Sequence, residues 1–449
     1  MGNIKKCMEN ITPEIAKMIL MPLRQFGIPP KFGLDTFSVG FEGVFYHLEE
    51  EYLKDIIKKR GSTFKFVSAS FGGGKTHFTY QFREIAWKNN YATCHVTLDS
   101  KNIQFNKILS VYQAICEKIQ KPLEDEEKIQ IFGELKKPEE LGIVNIMKYW
   151  YYKKQNEFEI IHKEEWKTYL KKYADTIRDF DSIYFGRVIR EMFKSLIDED
   201  LDKFEELSLW FENGGTPKVK EFGIKKQIET DTFRMLNSLT KLLTDFMGFA
   251  GLVIFFDEGE RQALRSREKD RQVNTLRQVI DKCGDQSIPG IMFFYTVPDE
   301  AEFLQSSGNA YDAIKQRLQK YFSQDHPLSP NISLEKLVPS DEDQVDNLES
   351  IGLKLAKLYQ IADKMEFANT DALEESITNI AKSAKDARYG EVAYRRLFIQ
   401  SMCEGLDLLS NQVEIKITSE MSNNLVKNIG IKLTTEEEDT DDESEDKAY

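Results

Sequence analysis

The segment Phe64–Thr76, FKFVSASFGGGKT, carries the residue types that bind phosphate. A short apolar run enters a glycine-rich loop ending in Lys75 and Thr76, and a helix-forming run, His77 to Trp87, follows. In that order the backbone N–H groups of the loop and of the helix N-terminus converge on one anion. Ala69, Ser70, Phe71, Gly72, Gly73, Gly74 and His77 make the cradle. Lys75 would reach the β- and γ-phosphates, and the Thr76 hydroxyl would hold Mg²⁺. Ala69 stands where the usual pattern has its first glycine, which leaves the relaxed form A-x-x-x-x-G-K-T.

A second run, GLVIFFDEGE over Gly251–Glu260, ends in two adjacent carboxylates. An uninterrupted apolar run of this length reads as a central parallel strand buried on both faces. Ligands of doubly wound sheets lie at the carboxyl ends of such strands. Asp257 would therefore face the Mg²⁺, and Glu258 would orient or deprotonate the attacking water. A buried strand followed by a solvated acidic turn is the plainer alternative, and the phosphate loop upstream tips the balance towards a nucleotide site.

These residues need a sheet to carry them, and the chain divides into regions that supply one. Residues 1–60 read as helical, broken by the turn GIPPKFG. Residues 61–330 hold the core. Its strands are the phosphate-loop strand, Tyr91–Leu98, the Gly251 run and Ile291–Tyr295, the last followed by Thr296. Between about 116 and 250 lies a lysine-, glutamate- and aromatic-rich stretch of helical period, read as a helical insertion. Residues 331–433 are expected to form a helical lid, with a weak strand-like VEIKIT run near its end. The order implies an α/β fold of three layers with a parallel sheet, the P-loop NTPase class.

Composition bounds the partners. The net charge is −14, and the run 434–449 holds nine acidic residues against one lysine. That tail is too charged and too poor in apolar residues to pack, so it is expected to be disordered. The overall balance is not that of a nucleic-acid binder. In KYWYYKK, Lys148–Lys154, aromatics interleave with lysines, a composition suited to stacking on bases. On a helix, Trp150 goes to the core and the lysines snorkel outward, which is the favoured reading. In RQALRSREKDRQ, Arg261–Gln272, the arginines suit a subunit interface or pore, and the interspersed acids suit a solvated helix. Five scattered cysteines read as reduced cytoplasmic thiols, and neither they nor the five histidines show metal-site spacing. No apolar run approaches a membrane span.

The succession EIAKMILMPLRQFGIPPKFGLDTFSVGFEG, FVSASFGGGKTHF, FREIAWKNNYATCHVTLD, GFAGLVIFFDEGE, LRQVID and FFYTVPDEAEF resembles the ATP-binding protein of BREX phage-defence islands, the BrxD-type family. That family is similar to AAA+ ATPases of the origin-recognition and Cdc6 kind. The resemblance covers most of residues 14–410. It implies ATP and Mg²⁺ as ligands, with Arg24–Pro30, including Pro29, and Val39-Gly40 around the adenine. It implies further that Thr296 is a sensor of the γ-phosphate, that Arg317 is a finger acting on a neighbouring subunit, and that Arg396, or Arg395 or Arg388, reaches the nucleotide from the lid.

The activity implied is an ATPase in anti-phage defence. It would assemble with itself or with a defence-system protein such as a helicase, and drive a DNA-acting partner. A nucleotide-gated adaptor that turns over little is the alternative. A small-molecule kinase fits less well, because a DE pair closing a buried strand and a long helical lid suit hydrolysis better. The region 411–433 is too short for a winged helix, which speaks against direct reading of duplex DNA.

Overall fold

The computed structural model of the chain describes residues 11–70, 72–98, 103–124, 127–128, 141–257, 266–297, 309–337, 340–367, 369–387, 394–411 and 416–445. Six strands form one mixed sheet. They are β1 (Ser62–Ser68), β2 (Ala92–Thr97), β3 (Ile119–Gln120), β4 (Leu252–Asp257), β5 (Ile291–Val297) and β6 (Asn331–Ser333), in the order β3-β2-β4-β5-β1-β6. Every pairing is parallel except β2 with β3, which is antiparallel and corrects the expectation of a wholly parallel sheet. All seven residues of β5 are buried, as are the first five of β4, which is why these runs lack the alternation of a half-exposed strand.

Helices cover both faces. On one face lie α2 (Glu42–His47), the π-helical stretch Leu48–Ile57 and α3 (Lys75–Lys88), the last of which follows the phosphate loop. α3 turns Phe78, Phe82 and Ala86 to the sheet at four-residue spacing. Phe82 meets Phe294 with ring centroids 5.0 Å apart, and Phe45 meets Phe78 at 4.8 Å. Each buried aromatic contributes roughly 1.5–3 kcal/mol. That packing sets the direction in which the N-terminus of α3 points.

On the other face lies α4 (Ile108–Lys118), followed by α5 (Ile143–His162), α6 (Trp166–Asp175), α7 (Ile183–Ile197), α8 (Leu201–Asn213), α9 (Thr232–Lys241), α10 (Ser266–Gly284) and α11 (Asn309–Leu318). The helices between β3 and β4 share one core with the sheet. Trp150 is 1% exposed and packs on Phe193 at 4.5 Å, so it serves the core, while Tyr152 faces outward.

The remaining helices are α12 (Asp341–Asp363), α13 (Thr370–Asp386), α14 (Tyr394–Ser410) and α15 (Ser419–Glu445). They form a second core together with α1 (Pro13–Phe26), whose Ala16, Ile19, Leu20 and Leu23 make the buried stripe. The described part of residues 1–60 is thus not one unit, since α1 joins the C-terminal helices and 41–57 joins the sheet.

Three local expectations change. After Pro330 the chain first adds β6 beside β1, before the helices begin. Of the VEIKIT run, Lys416–Thr418 is not a strand, and the rest lies outside the described residues. The acidic run expected to be disordered is helical as far as Glu445. Glutamate is a good helix former, and extending a helix already nucleated at Ser419 needs no new nucleus. Cys94, Cys116, Cys283 and Cys403 are buried free thiols, pushed up in pKa by burial. Among the described residues no helix is long and apolar enough to cross a membrane.

β1 also carries a buried lysine. Lys65 is fully buried, its Nζ donating to Tyr52 Oη at 2.6 Å and to Ser329 O at 2.9 Å. Burial pushes its pKa down to about 7 from an ordinary 10.5, against a smaller upward pull from Glu51. As the pH falls from about 10 towards 7, the unfolded chain takes up a proton that the folded chain refuses. Stability is therefore lost across that window, and the loss is complete below the folded pKa. Lys65→Met should melt progressively higher than the parent as the pH is lowered from 10 to 7, by a difference on the order of 5 °C at the end. Thermal melts across pH check it, and a pH-independent difference would refute the assignment.

Candidate functional site

Three neighbouring strands end at one level. In register, Val67 pairs with Thr296 and Phe256 with Tyr295, so the loop after β1, Asp257 at the end of β4 and Thr296 near the end of β5 lie together. The loop is built by its own backbone. Gly73 N–H donates to Ser70 O at 2.9 Å, and Gly74, with φ of +100°, takes the N-cap position of α3 with no side-chain cap. A left-handed residue is needed there, and glycine takes that conformation without a Cβ penalty. The uncapped helix end leaves its first N–H groups for a ligand.

Above this level a cavity of about 380 Å³ opens. Its polar end is lined by Gly72, Gly74, Lys75, Thr76, His77, Asp257, Arg395 and Arg396. Its apolar end is lined by Leu23, Ile28, Pro29, Phe37, Val39 and Phe41 from the N-terminal segment, and by Leu348, Ile351 and Ile399 from α12 and α14. One half suits a polyanion and the other a flat apolar ring. Three cationic side chains against one carboxylate give the polar half a net attraction for negative charge.

Individual positions differ in how directly they reach this space. Lys75 Nζ donates to Ala69 O at 2.8 Å and to Ser70 O at 3.4 Å, so it lies folded on the loop it would share with a phosphate. Ala69 is buried, donates its N–H to Val297 O, and is not among the residues of positive φ. The backbone therefore does not require glycine at that position. Ser70 N–H donates to Glu335 Oε1 at 2.7 Å. Gly40 is outside the cavity wall, its N–H donating to Glu42 Oε2 at 2.8 Å.

Thr296 is fully buried and donates its hydroxyl hydrogen to Asp257 Oδ1, so it acts on the cavity through that carboxylate. Arg317 does not line the cavity. Its Nε and Nη2 bind Asp281 Oδ1 on α10 at 2.8 and 2.6 Å, and Asp281 also pairs with Arg277. Phe71, Glu258 and Arg388 lie outside the described residues.

The C-terminal helices meet the loop through α14. Arg395 Nη1 donates to Gly73 O at 3.0 Å, and its guanidinium lies 5.4 Å from the Phe41 ring centre. Arg396 packs on Gly72, where an added Cβ would stand 2.8 Å from Arg396 Cβ. Sequence reasoning singled out Arg396 and named Arg395 only as a neighbour. It missed Glu335, and of the apolar wall it named the Arg24–Pro30 segment and Val39 but not Phe37, Phe41, Leu348, Ile351 or Ile399. The spacings 348/351 and 395/396/399 carried a helical signal, but no signal for which turn faces the loop.

Asp257 and Thr76 offer hard oxygen donors on the same wall, and no cluster of three or more His, Cys, Asp or Glu occurs among the described residues. That set fits Mg²⁺, which takes one or two protein oxygens and completes its shell with phosphate oxygens and water. It does not fit zinc. His77 stays neutral at ordinary pH, because burial, helped by the Arg395 guanidinium, pushes it down to about 3.

No curated protein and no solved structure compared with the chain matches it. A family model does, from residue 11 to residue 424, and so takes in α1, the glycine-rich loop, Asp257, Arg395 and Arg396. The chain belongs to the family of the BREX system ATP-binding protein BrxC/D.

Proposed function

We propose that the chain is a P-loop ATPase of the AAA+ kind, with a helix–sheet–helix core and a helical lid, and that it binds Mg²⁺-ATP between the two. One observation carries this reading: the phosphate loop, Asp257 and two lid arginines line a single cavity whose other half is apolar. The adenine would lie among Pro29, Phe37, Val39 and Ile351. The triphosphate would lie over Gly72–Thr76. Thr76 and Asp257 would hold Mg²⁺, which supplies charge neutralisation at the β- and γ-phosphates. Glu258, next in the chain after Asp257, would orient the attacking water. Thr296 fixes the Asp257 carboxylate through their hydrogen bond.

Arg395 joins loop to lid, so exchanging ATP for ADP at the loop would shift the lid. In a phage-defence system that movement would drive assembly or remodelling of a DNA-acting partner. The ion pair of Arg317 with Asp281 favours a second reading. With that arginine held inside its own chain, an isolated protomer would bind ATP and turn it over slowly, as a nucleotide-gated adaptor does.

Steady-state phosphate release over a protein concentration series, with and without duplex DNA, separates the two. The ATPase reading expects turnover in Mg²⁺, none in excess chelator, and a specific rate that rises with concentration or DNA. A flat rate at the level of the chelated control, with ATP bound, would leave the adaptor.

A further inference from the structure

Beside the phosphate loop a histidine is held in one tautomer. Ser38 Oγ lies 2.6 Å from Leu34 O, and a carbonyl only accepts, so the single hydroxyl hydrogen is spent there. The same Oγ is hydrogen-bonded to His77 Nε2, and it has only lone pairs left to offer. His77 Nε2 must therefore carry the ring hydrogen. A neutral imidazole has one N–H, which leaves Nδ1 as a bare acceptor. The tautomer is thus assigned from the hydrogen-bond network, as such assignments are.

Where Nδ1 can find a partner is restricted. His77 makes no other hydrogen bond among the described residues, and its Nδ1 is not among the buried polar atoms lacking one. It is therefore open to whatever enters the cavity that His77 lines. The ring is held edge-on to Phe37, with centroids 5.3 Å apart and planes at 75°, and is tilted against Phe41 at 6.2 Å. Phe37 and Phe41 belong to the apolar half, so the ring stands where the polar end of the cavity meets the apolar one, within reach of a base edge.

We propose that His77 is the base-specificity residue, its Nδ1 accepting an N–H of the exocyclic amine of a 6-aminopurine, with Ser38 as the positioning residue that fixes its tautomer. Guanine presents a carbonyl oxygen where adenine presents that amine, and two acceptors facing each other repel. A site that hydrogen-bonds a substrate N–H rejects an analogue lacking it, because its own buried polar group is then left unpaired. The inference rests on the nucleotide reading above, and it adds the chemical feature by which the nucleotide would be chosen.

The test compares affinities for ATP, for purine riboside triphosphate, which lacks only the 6-amino group, and for GTP. Each is measured by competition against a ribose-labelled fluorescent ATP analogue, with the parent, His77→Phe and Ser38→Ala. The parent should prefer ATP over purine riboside triphosphate by about tenfold, the worth of one good hydrogen bond, and GTP should bind worse than both. In His77→Phe, which keeps the ring and removes the acceptor, the ATP to purine riboside triphosphate ratio should fall to near one. Ser38→Ala releases the tautomer and should give an intermediate ratio. The ratio is the readout, so a general loss of affinity in a variant does not imitate the effect.

A parent ratio near one overturns the inference without any variant. So does a ratio that His77→Phe leaves unchanged. Failure of the parent to bind any of the three nucleotides would instead overturn the nucleotide reading on which it rests.

Discussion

Lys75→Ala should weaken binding of a fluorescent ATP analogue at least about 100-fold, as expected when one partner of a desolvated charge pair is removed. It should do so without unfolding the protein. Without nucleotide, Lys75 Nζ donates to Ala69 O and Ser70 O, two carbonyls of its own loop. Removing it leaves those oxygens beside an open cavity that water can enter, so the melting temperature should move little. With nucleotide, Lys75 would be the cation nearest the β- and γ-phosphates, and Arg395 and Arg396 approach from α14. They cannot replace it, because they face the loop from the other wall. Equilibrium titration paired with a thermal melt separates the outcomes. Unchanged affinity would remove the phosphate from this loop, and a collapsed melt would show that Lys75 is structural.

The parts of the site that were legible are those whose chemistry is local. A strand, a glycine turn and a helix in direct succession mark the candidate phosphate loop, and the β4 run declares its burial and its terminal carboxylates by composition. What was hidden is decided by contacts far apart in the chain. The three residues of β6 are a strand because they pair with Phe66–Ser68, and nothing in their own composition requires it. The stripe Ala16, Ile19, Leu20, Leu23 announces a buried face, yet its partners Leu355, Tyr359 and Phe398 lie more than 300 positions away. Adjacent residues of a helix point about 100° apart, so choosing between Arg395 and Arg396 needs the docking of α14 on the loop. The structure gives the two different tasks, a hydrogen bond to Gly73 O for one and packing on Gly72 for the other. Thr296 shows the same limit, since its partner Asp257 belongs to another strand.

Glu258→Gln is the substitution that separates hydrolysis from binding. Removing a positioned general base costs typically 10²–10⁴-fold, so turnover should fall at least about 100-fold while ATP affinity changes little. The contrast with Asp257→Asn makes the result specific. Asp257 lines the cavity and accepts the Thr296 hydroxyl, so its loss should weaken Mg²⁺-dependent ATP binding and turnover together. If Glu258→Gln keeps ATP and cannot spend it, any assembly formed by the ATP state should persist, and sedimentation with ATP should shift to larger species. A variant that hydrolyses like its parent would put the water-activating group elsewhere. A variant that holds ATP and stays monomeric at micromolar concentration would count against catalysis shared between subunits. Arg317 would then keep Asp281 as its partner in every state, and an arginine acting on the γ-phosphate would have to come from the lid or from another protein of the defence system.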